Sequence, residues 1–351
     1  MKAIQIHKFV EDTACLHEDT ANDYLSLSSD VLKPSVLKKN QMLVQVLACS
    51  ISPGDIIMIQ GNMIMMHPSS FPYVPGMDIC GRIVDHNNSL NFQNGDIVVA
   101  ANGFDPVGGL AEYMVINNNE AVLKPQLVSN EQAASSSSSI TARNAVMDHV
   151  KEADRVLVLG GSGGVGSAAI QIAKRHAKAS FVATTSTQIE FCKELGADQV
   201  IDYRKQDWWN MSEFQQQRFD VIIDTVGGGN YYDRANLVGK NGNDGGKFIA
   251  VTGDEPKPDC RTVWKLLKFF GNMAGRLIYS GFKKNSLPKY VALFPYDEAK
   301  GRKEVLDWMQ KGSLTVKLDE TLPFTAEGVC QAFAKVGSGH AHGKVVVHIT
   351  E

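Results

Sequence analysis

Residues 155–166 constrain the fold of this chain more than any other stretch of its sequence. They read Arg155-Val-Leu-Val-Leu-Gly-Gly-Ser-Gly-Gly-Val-Gly166, and an apolar segment of small residues follows at 167–173. The Val and Leu residues at 156–159 predict a strand that is buried on both faces, as in a parallel sheet. The segment after the glycines predicts a helix. A strand, a glycine loop and a helix in this order predict a binding site for the phosphates of a dinucleotide.

The glycines of this loop have separate roles in that prediction. Gly161 permits a tight turn, Gly163 lets the backbone approach a pyrophosphate, and Gly166 lets the helix pack close to the strand. The phosphates would meet free N–H groups and the positive end of the helix dipole. The residues expected to form this part of the cofactor site are Gly161, Ser162, Gly163, Gly164, Val165 and Gly166.

Composition excludes several classes of protein. A length of 351 residues predicts about two domains. The net charge of −3 gives no electrostatic reason to expect nucleic acid as a partner. The apolar runs are too short for a membrane span, so we expect no stable membrane anchor. The strand-like residues 1–7 leave no room for a targeting peptide, and we therefore expect a cytoplasmic protein.

The six cysteines are widely scattered and form no Cys-x-x-Cys pair. This spacing argues against a disulfide framework and against a structural zinc site. Most of them are expected to be buried free thiols.

The pattern of elements changes along the chain. Residues 1–125 show short strands and turns, whereas strands and helices alternate from residue 155 onward, which is typical of a parallel sheet. The end of the chain returns to a strand–helix–strand pattern that we expect to rejoin the first module. We therefore predict a β-rich domain at 1–125, a dinucleotide-binding α/β domain at 126–300, and a return to the first domain at 301–351.

Residues 254–285 are rich in basic and aromatic side chains. Two interpretations are open, a helix on a membrane surface or an insert of helix and strand that covers the sheet. Gly271, Gly275 and Gly281 would interrupt a long helix, and we therefore favour the insert.

The second strand of the α/β domain indicates which dinucleotide binds. An NAD site usually has an acidic residue at the end of this strand, but residues 180–187 contain none. Hydroxyl groups can donate hydrogen bonds to a 2′-phosphate, which a carboxylate would repel. We therefore predict NADPH, held near Thr185 and Ser186, with Tyr203 and Arg204 reaching the same phosphate. The alternative is that Tyr203 and Arg204 only end a strand.

Two further loops follow strands of the same sheet and should face the cofactor, because ligands bind beyond the carboxyl ends of parallel strands. One begins at Asp224, which either faces the cofactor or caps local backbone. The residues expected to contact the cofactor from these loops and from the last strand of the sheet are Thr225, Val226, Thr252, Gly253 and Phe294.

Several boxes together resemble the zinc-independent quinone oxidoreductase branch of the medium-chain dehydrogenase/reductase superfamily. They extend almost from end to end and lie at 76–81, 94–96, 160–166, 195–203, 224–228 and 339–344. The box at 339–344, with Leu322-Pro-Phe324 before it, is similar to the reticulon-4-interacting-protein group of that branch. The resemblance implies an α/β fold, with a Rossmann doubly wound parallel sheet and a GroES-like β-rich catalytic domain. The active site would lie in the cleft between them.

The resemblance also implies that no catalytic metal binds. Zinc-dependent members have a Cys–His pair where this chain has Ser52-Pro53, and a His where it has Met77. Quinone-branch members usually have Asn at the position of Ser52 and Tyr at that of Ile57. A basic residue that often helps to hold the 2′-phosphate is replaced by Gln188 here.

Two more positions acquire roles by the resemblance. Thr141 matches a threonine beside the cofactor, and Lys344 matches a basic residue that closes over it. The implied catalytic residues are Ser52, near the nicotinamide, and Tyr73 as a candidate proton donor. The alternative for Tyr73 is a loop tyrosine that packs on neighbouring prolines.

The function expected from these features is hydride transfer from NADPH to a small molecule, either a quinone or an α,β-unsaturated carbonyl. Without a metal, the protein's part is to position the reactants and exclude water. Two alternatives stay open: a reductase of enoyl thioesters, and a protein that senses NADPH or docks partners with little turnover. A homodimer formed through the strand predicted at 289–294 is usual for such relatives.

Overall fold

The computed structural model describes residues 1–17, 23–101, 108–228, 230–255, 257–293 and 299–350. Two sheets dominate the structure, one mainly antiparallel and one parallel. In the first part of the chain the strands and helices are β1 (Ala3–Ile6), β2 (Leu25–Ser28), β3 (Gln41–Ile51), α1 (Pro53–Ile59), β4 (Asp78–Asp85), β5 (Ile97–Ala101), β6 (Tyr113–Asn117), β7 (Ala121–Leu123), α2 (Asn130–Ala134) and α3 (Ser137–Met147).

The second part of the chain alternates strand and helix, as its pattern predicts. Its elements are β8 (Arg155–Leu159), α4 (Gly164–Arg175), β9 (Phe181–Thr185), α5 (Ile189–Glu194), β10 (Gln199–Ile201), α6 (Ser212–Gln216), β11 (Val221–Asp224), α7 (Tyr231–Arg234), β12 (Lys247–Ala250), α8 (Val263–Phe282) and β13 (Lys289–Ala292). The last elements are α9 (Ala299–Gln310), β14 (Leu318–Pro323), α10 (Ala326–Gly337) and β15 (Lys344–His348).

The parallel sheet has the strand order β10-β9-β8-β11-β12-β13, and each neighbouring pair is parallel. The direction of winding reverses between β8 and β11, which is the place where ligands bind in open sheets of this kind. Val156 and Val158 of β8 pack in one apolar cluster, whereas Leu157 and Leu159 pack in another. Both faces of β8 are therefore covered, because side chains alternate across a strand.

The antiparallel sheet joins the two ends of the chain. Its order is β14-β15-β3-β4-β5-β7, with β6 paired to β3 beyond this path. Strand β15 is antiparallel to β3, with Val346 opposite Ser50. A six-stranded parallel sheet of Rossmann type thus stands beside a β-rich antiparallel sheet, and the α/β fold class expected from the sequence is confirmed. The boundaries near residues 125 and 300 stay predictions.

The segment at 254–285 differs from the expected insert. It contains one continuous helix, α8, which passes through Gly271 and Gly275 without a break and carries Gly281 in its last turn. Helix propensity is a weak prior, and the cost of about 1 kcal/mol per glycine does not stop a 20-residue helix that has apolar side chains on most of its surface. Most of its side chains are exposed, and the helix packs beside β13 at the edge of the sheet. No helix in the described part of the chain is long and apolar enough to cross a bilayer.

Candidate active site

The glycine loop joins β8 to α4 at the place where the parallel sheet changes its winding. Gly160 has a φ of 84°, a left-handed conformation that favours glycine. A Cβ on Gly166 would meet the backbone of Gly160, with the carbonyl carbon at 2.8 Å. Helix α4 begins at Gly164 behind Gly163, and no side chain caps it. The N–H groups of its first turn are therefore available to an anion.

The loop after β11 lies against this glycine loop, and the loop after β12 lies against the loop after β11. Thr225 Oγ1 and Val226 Cγ2 are each 2.8 Å from the position that a Cβ on Gly160 would take. The Asp224 carboxylate accepts hydrogen bonds from the N–H groups of Val226 (3.0 Å) and Gly227 (2.9 Å), so it caps local backbone. Burial raises the pKa of Asp224 to about 6, although these two hydrogen bonds oppose the shift.

The residues predicted to hold a 2′-phosphate differ in their surroundings. Thr185 Oγ1 accepts a hydrogen bond from Gly160 N–H at 3.0 Å, and the buried Ser186 Oγ accepts one from Gln188 N–H at 3.0 Å. These two hydroxyls therefore brace the turns around the site. Tyr203 is exposed, and the guanidinium of Arg204 is solvent-facing and paired with Asp202 at 3.2 Å. Their contact with a phosphate stays a prediction.

A buried carboxyl that the sequence did not single out lies on the other side of the site. Asp55 is in the first turn of α1 and is fully buried. Its Oδ2 accepts hydrogen bonds from Ser52 N–H (2.8 Å) and Ser52 Oγ–H (2.7 Å), and its Oδ1 accepts one from Met77 N–H at 3.1 Å. Burial raises the pKa of Asp55 to about 6, and the charge of Asp78 adds to this. The Ser-x-x-Asp spacing, which is typical of helix N-termini, is the signal that could have found it.

Lys344 connects the two modules at this place. It is the first residue of β15 and is almost fully buried. Its Cδ lies 3.0 Å from the position of a Cβ on Gly164, so its side chain lies across the start of α4. Burial lowers the pKa of Lys344, while the charges of Asp78 and Asp55 oppose that shift. Within the described ranges its Nζ has neither an ion pair nor a hydrogen bond, so this cation is available to an anionic ligand.

The serine run at 135–139 lies at the junction of the modules. Ser137 Oγ donates to the Asp78 carboxylate at 2.6 Å, and Ser135 Oγ donates to Ser50 Oγ at 3.3 Å. Each bond joins the start of the helical segment to a strand of the antiparallel sheet. Thr141, one turn further along α3, is half-buried and donates from Oγ1 to the Ser137 carbonyl oxygen at 3.3 Å.

Three buried hydroxyls near these elements have no hydrogen-bond partner in the part of the chain that the structure describes: Tyr73, Ser136 and Thr252. Burial, and after it the charge of Asp55, raise the pKa of the Tyr73 phenol well above its usual range. Buried polar groups are rarely left unsatisfied, so these hydroxyls are candidates to bind a ligand. Gly253, beside Thr252, has a φ of 70°. Phe294, which was predicted to contact the cofactor, lies outside the described residues.

Comparisons with known proteins agree with this arrangement. The family profile described as "Alcohol dehydrogenase GroES-like domain" matches residues 38–126, and the one described as "Zinc-binding dehydrogenase" matches 195–347. The chain is 32% identical over 337 residues to the "NADPH-dependent alkenal/one oxidoreductase, chloroplastic" of Arabidopsis thaliana, covering 93% of this chain and 76% of the relative. The chain belongs to the medium-chain dehydrogenase/reductase superfamily. The family expected from its sequence is thus confirmed.

This dehydrogenase/reductase is also similar to two other oxidoreductases. It is 28% identical over 355 residues to the "NAD(P)H oxidoreductase RTN4IP1, mitochondrial" of Danio rerio, covering 94% of this chain and 89% of the relative. Its structure is similar to that of the quinone oxidoreductase from Coxiella burnetii, with a TM-score of 0.78, 26% identity and 99% of each chain covered. These two proteins belong to the groups that the sequence resembles, the reticulon-4-interacting-protein group and the quinone oxidoreductases.

The side chains present do not fit a catalytic zinc ion, although one family profile carries zinc in its description. Ser52 Oγ donates to Asp55, and Met77 Sδ lies 3.3 Å from the position of a Cβ on Gly54. Burial raises the pKa of the Cys49 thiol, which opposes the thiolate form that metals bind. In the described ranges no group of three or more His, Cys, Asp or Glu side chains is placed to hold an ion. The absence of a metal requirement stays a prediction.

The side chains and backbone groups of the site do fit a dinucleotide. An uncapped helix start, a buried lysine beside it and unsatisfied hydroxyls at its rim match the phosphates and amide of a nicotinamide dinucleotide in charge and hydrogen-bonding capacity. A Cβ on Gly163 would have only the Gly160 carbonyl oxygen nearby, at 3.5 Å, so the backbone is open to a ligand on that side.

Proposed function

We propose that this protein transfers hydride from NADPH to a quinone or an α,β-unsaturated carbonyl compound without a metal ion. The observation that carries the proposal is the buried Lys344, which has no ion pair or hydrogen bond from its Nζ among the described residues and lies at the uncapped start of α4. It is close enough to the buried Asp55 for each charge to affect the other's pKa. This arrangement brings a phosphate site and a proton-holding group together across the junction of the two modules. The similarity to an NADPH-dependent alkenal/one oxidoreductase supports the substrate class.

The residues that would hold the cofactor follow from the geometry. The N–H groups of Gly164, Val165 and Gly166 would donate to the pyrophosphate, and Lys344 would add a positive charge. Thr252 would offer its unsatisfied hydroxyl to the nicotinamide end. Tyr203 and Arg204 are the exposed groups at the edge where a 2′-phosphate is expected.

The bound nicotinamide supplies the hydride. The negative charge that develops on the carbonyl or quinone oxygen needs a hydrogen-bond donor and then a proton. The Tyr73 hydroxyl has no partner in the part of the chain that the structure describes, and the Ser52 hydroxyl is bonded to Asp55. Because the pKa of Asp55 is raised to about 6, this carboxyl carries a proton for part of the time near neutral pH. Asp55 would return a proton to Ser52 after transfer.

The test is NADPH oxidation by the purified protein against three acceptor classes: quinones, enals or enones, and enoyl thioesters. We expect turnover with the first two classes, a preference for NADPH over NADH, and no loss of activity after dialysis against a chelator. Turnover with enoyl thioesters alone would assign the site to a different acceptor class. NADPH binding without turnover on any acceptor would make the protein a sensor and contradict the proposal.

The oligomeric state and the location belong to the same proposal. We infer a homodimer through β13, the outer strand of the parallel sheet, because an outer strand offers unpaired backbone groups to a second copy. We also infer a cytoplasmic location. Sedimentation equilibrium of the wild type and of Ala292→Pro tests the first inference, because the N–H groups of Lys289 and Leu293 donate toward β12 and that of Ala292 therefore points to the outer edge. Cell fractionation tests the second.

A further inference from the structure

Helix α8 is the part of the molecule that the proposed function does not use. It contains 20 residues and is therefore about 30 Å long. Thr262 caps its start, where Thr262 Oγ1 accepts a hydrogen bond from Lys265 N–H at 3.3 Å. The helix packs beside β13, but Ser280 is its only fully buried residue. A capped, continuous helix with so little covered surface needs an explanation.

Large apolar side chains on α8 face solvent together. At about 100° per residue five of them fall within an arc of roughly 100° on one side of the helix, and the exposed Leu277 and Tyr279 lie about 40° and 60° outside it. The exposed fractions of the five are 59% for Val263, 82% for Trp264, 56% for Leu267, 61% for Ile278 and 83% for Phe282. Gly271 and Gly275 lie at the edge of this arc, and a Cβ on either would meet nothing within 4 Å. We call this surface the α8 apolar face.

The charged residues in and directly after α8 are all basic. No acidic residue occurs between 260 and 284, although the whole chain has a net charge of −3. Lys265 is paired with Asp259, and Arg276 is paired with Asp233 and Asp254. Lys268 lies about 40° beyond one edge of the α8 apolar face, and Lys283 and Lys284 follow at its C-terminal end. None of these three bordering lysines has an ion pair within the described ranges.

We propose that α8 binds flat on the surface of an anionic lipid bilayer. The α8 apolar face would enter the boundary between headgroups and acyl chains, with Trp264 and Phe282 at its margin, and the bordering lysines would contact lipid phosphates. A continuous apolar face with a basic border is typical of helices that lie in the membrane interface. The protein would thus be held peripherally, since none of its described helices can span a bilayer.

Charge decides between a lipid surface and a second copy of the chain. In a two-fold pair through this face, each protomer would bring the same lysines to the border, and like charges would meet. An anionic bilayer provides headgroup charge of the opposite sign and, in its acyl chains, an extended apolar layer. The basic border therefore favours the bilayer as the occupant.

The test is cosedimentation of the full-length protein with vesicles of phosphatidylcholine alone and of phosphatidylcholine mixed with phosphatidylserine. We expect binding to the mixed vesicles, weaker binding to the neutral ones, and a decrease as salt is raised. Leu267→Glu should lower the partition coefficient for mixed vesicles at least about tenfold, because it places a charge in the apolar face. Leu90→Glu is the matched control: it makes the same change at a fully exposed leucine away from α8, and binding should be unchanged.

Three outcomes would overturn the proposal. They are no binding to mixed vesicles, equal loss of binding in the two leucine variants, and a wild-type dimer in sedimentation velocity that Leu267→Glu dissociates. The last outcome would assign the α8 apolar face to a second copy. If Leu267→Glu does not fold, Lys268→Glu with Lys39→Glu as its control repeats the comparison on exposed lysines. None of these measurements uses turnover, so they are independent of the proposed function.

Discussion

The loop between β8 and α4 allows one prediction that separates folding from binding. Gly163 and Gly166 are both replaced by alanine, one at a time. A Cβ on Gly166 would meet the carbonyl of Gly160, with its carbon at 2.8 Å, and the Cα of Gly161 at 3.0 Å. These are backbone atoms that cannot rotate away. A Cβ on Gly163 would have only the Gly160 carbonyl oxygen at 3.5 Å, which is an ordinary contact.

The expected magnitudes follow from these distances. Overpacking against fixed backbone costs about 1–3 kcal/mol, and Gly166→Ala should lower the free energy of unfolding by that amount. Gly163 has a φ of −75° and a ψ of 170°, which alanine also adopts. Alanine reduces the entropy of the unfolded chain but is a poorer N-cap, and each effect is about 0.5–1 kcal/mol. Gly163→Ala should therefore leave the free energy of unfolding within about 1 kcal/mol of the wild type.

Gly163→Ala, which should hardly change stability, should strongly weaken NADPH binding. Its new methyl group would occupy the space through which the pyrophosphate approaches the backbone, so the dissociation constant should rise at least about tenfold, or 1.4 kcal/mol. Urea unfolding of the apo protein and calorimetric titration with NADPH give the two quantities. Tight NADPH binding by Gly163→Ala would refute the assigned position of the phosphates. Wild-type stability of Gly166→Ala would refute the packing argument.

Three further predictions concern the buried polar groups. Folding raises the pKa of Asp55 from 3.8 to about 6, so the contribution of Asp55 to stability is present below about pH 4 and is lost as the pH rises through 6. Relative to Asp55→Asn, the free energy of unfolding of the wild type, measured with urea, should fall by about 3 kcal/mol over this interval. Parallel pH profiles of the two proteins would contradict this. Lys344→Met should raise the dissociation constant for NADPH at least about tenfold, measured by calorimetry, without lowering the melting temperature of the apo protein. An unchanged affinity would show that Lys344 does not belong to the site. Tyr73→Phe should retain the wild-type melting temperature, because the lost hydroxyl has no partner among the described residues, and it should lower kcat about 10²-fold. An unchanged kcat would leave Tyr73 as a packing residue.

The parts of this protein that the sequence by itself determined are those set by neighbouring residues. The apolar run before Gly160 and the small residues after Gly166 specify a strand, a turn and a helix, because steric limits on the backbone act over a few residues. The alternation of strand and helix that follows specifies a parallel sheet, because each helix returns the chain to the end of the sheet at which the previous strand began. These local signals also carried the family resemblance.

Only the tertiary structure decided which distant groups meet. Asp55 and Lys344 are far apart in the sequence, and their proximity depends on β15 pairing with β3. The exposure of α8 was likewise not readable from its residues, since an apolar helix pattern predicts burial and does not say what covers it. Burial and long-range electrostatics depend on the packing of whole elements, and for that reason the pKa of Asp55 and the free apolar face of α8 appear only once the chain is folded.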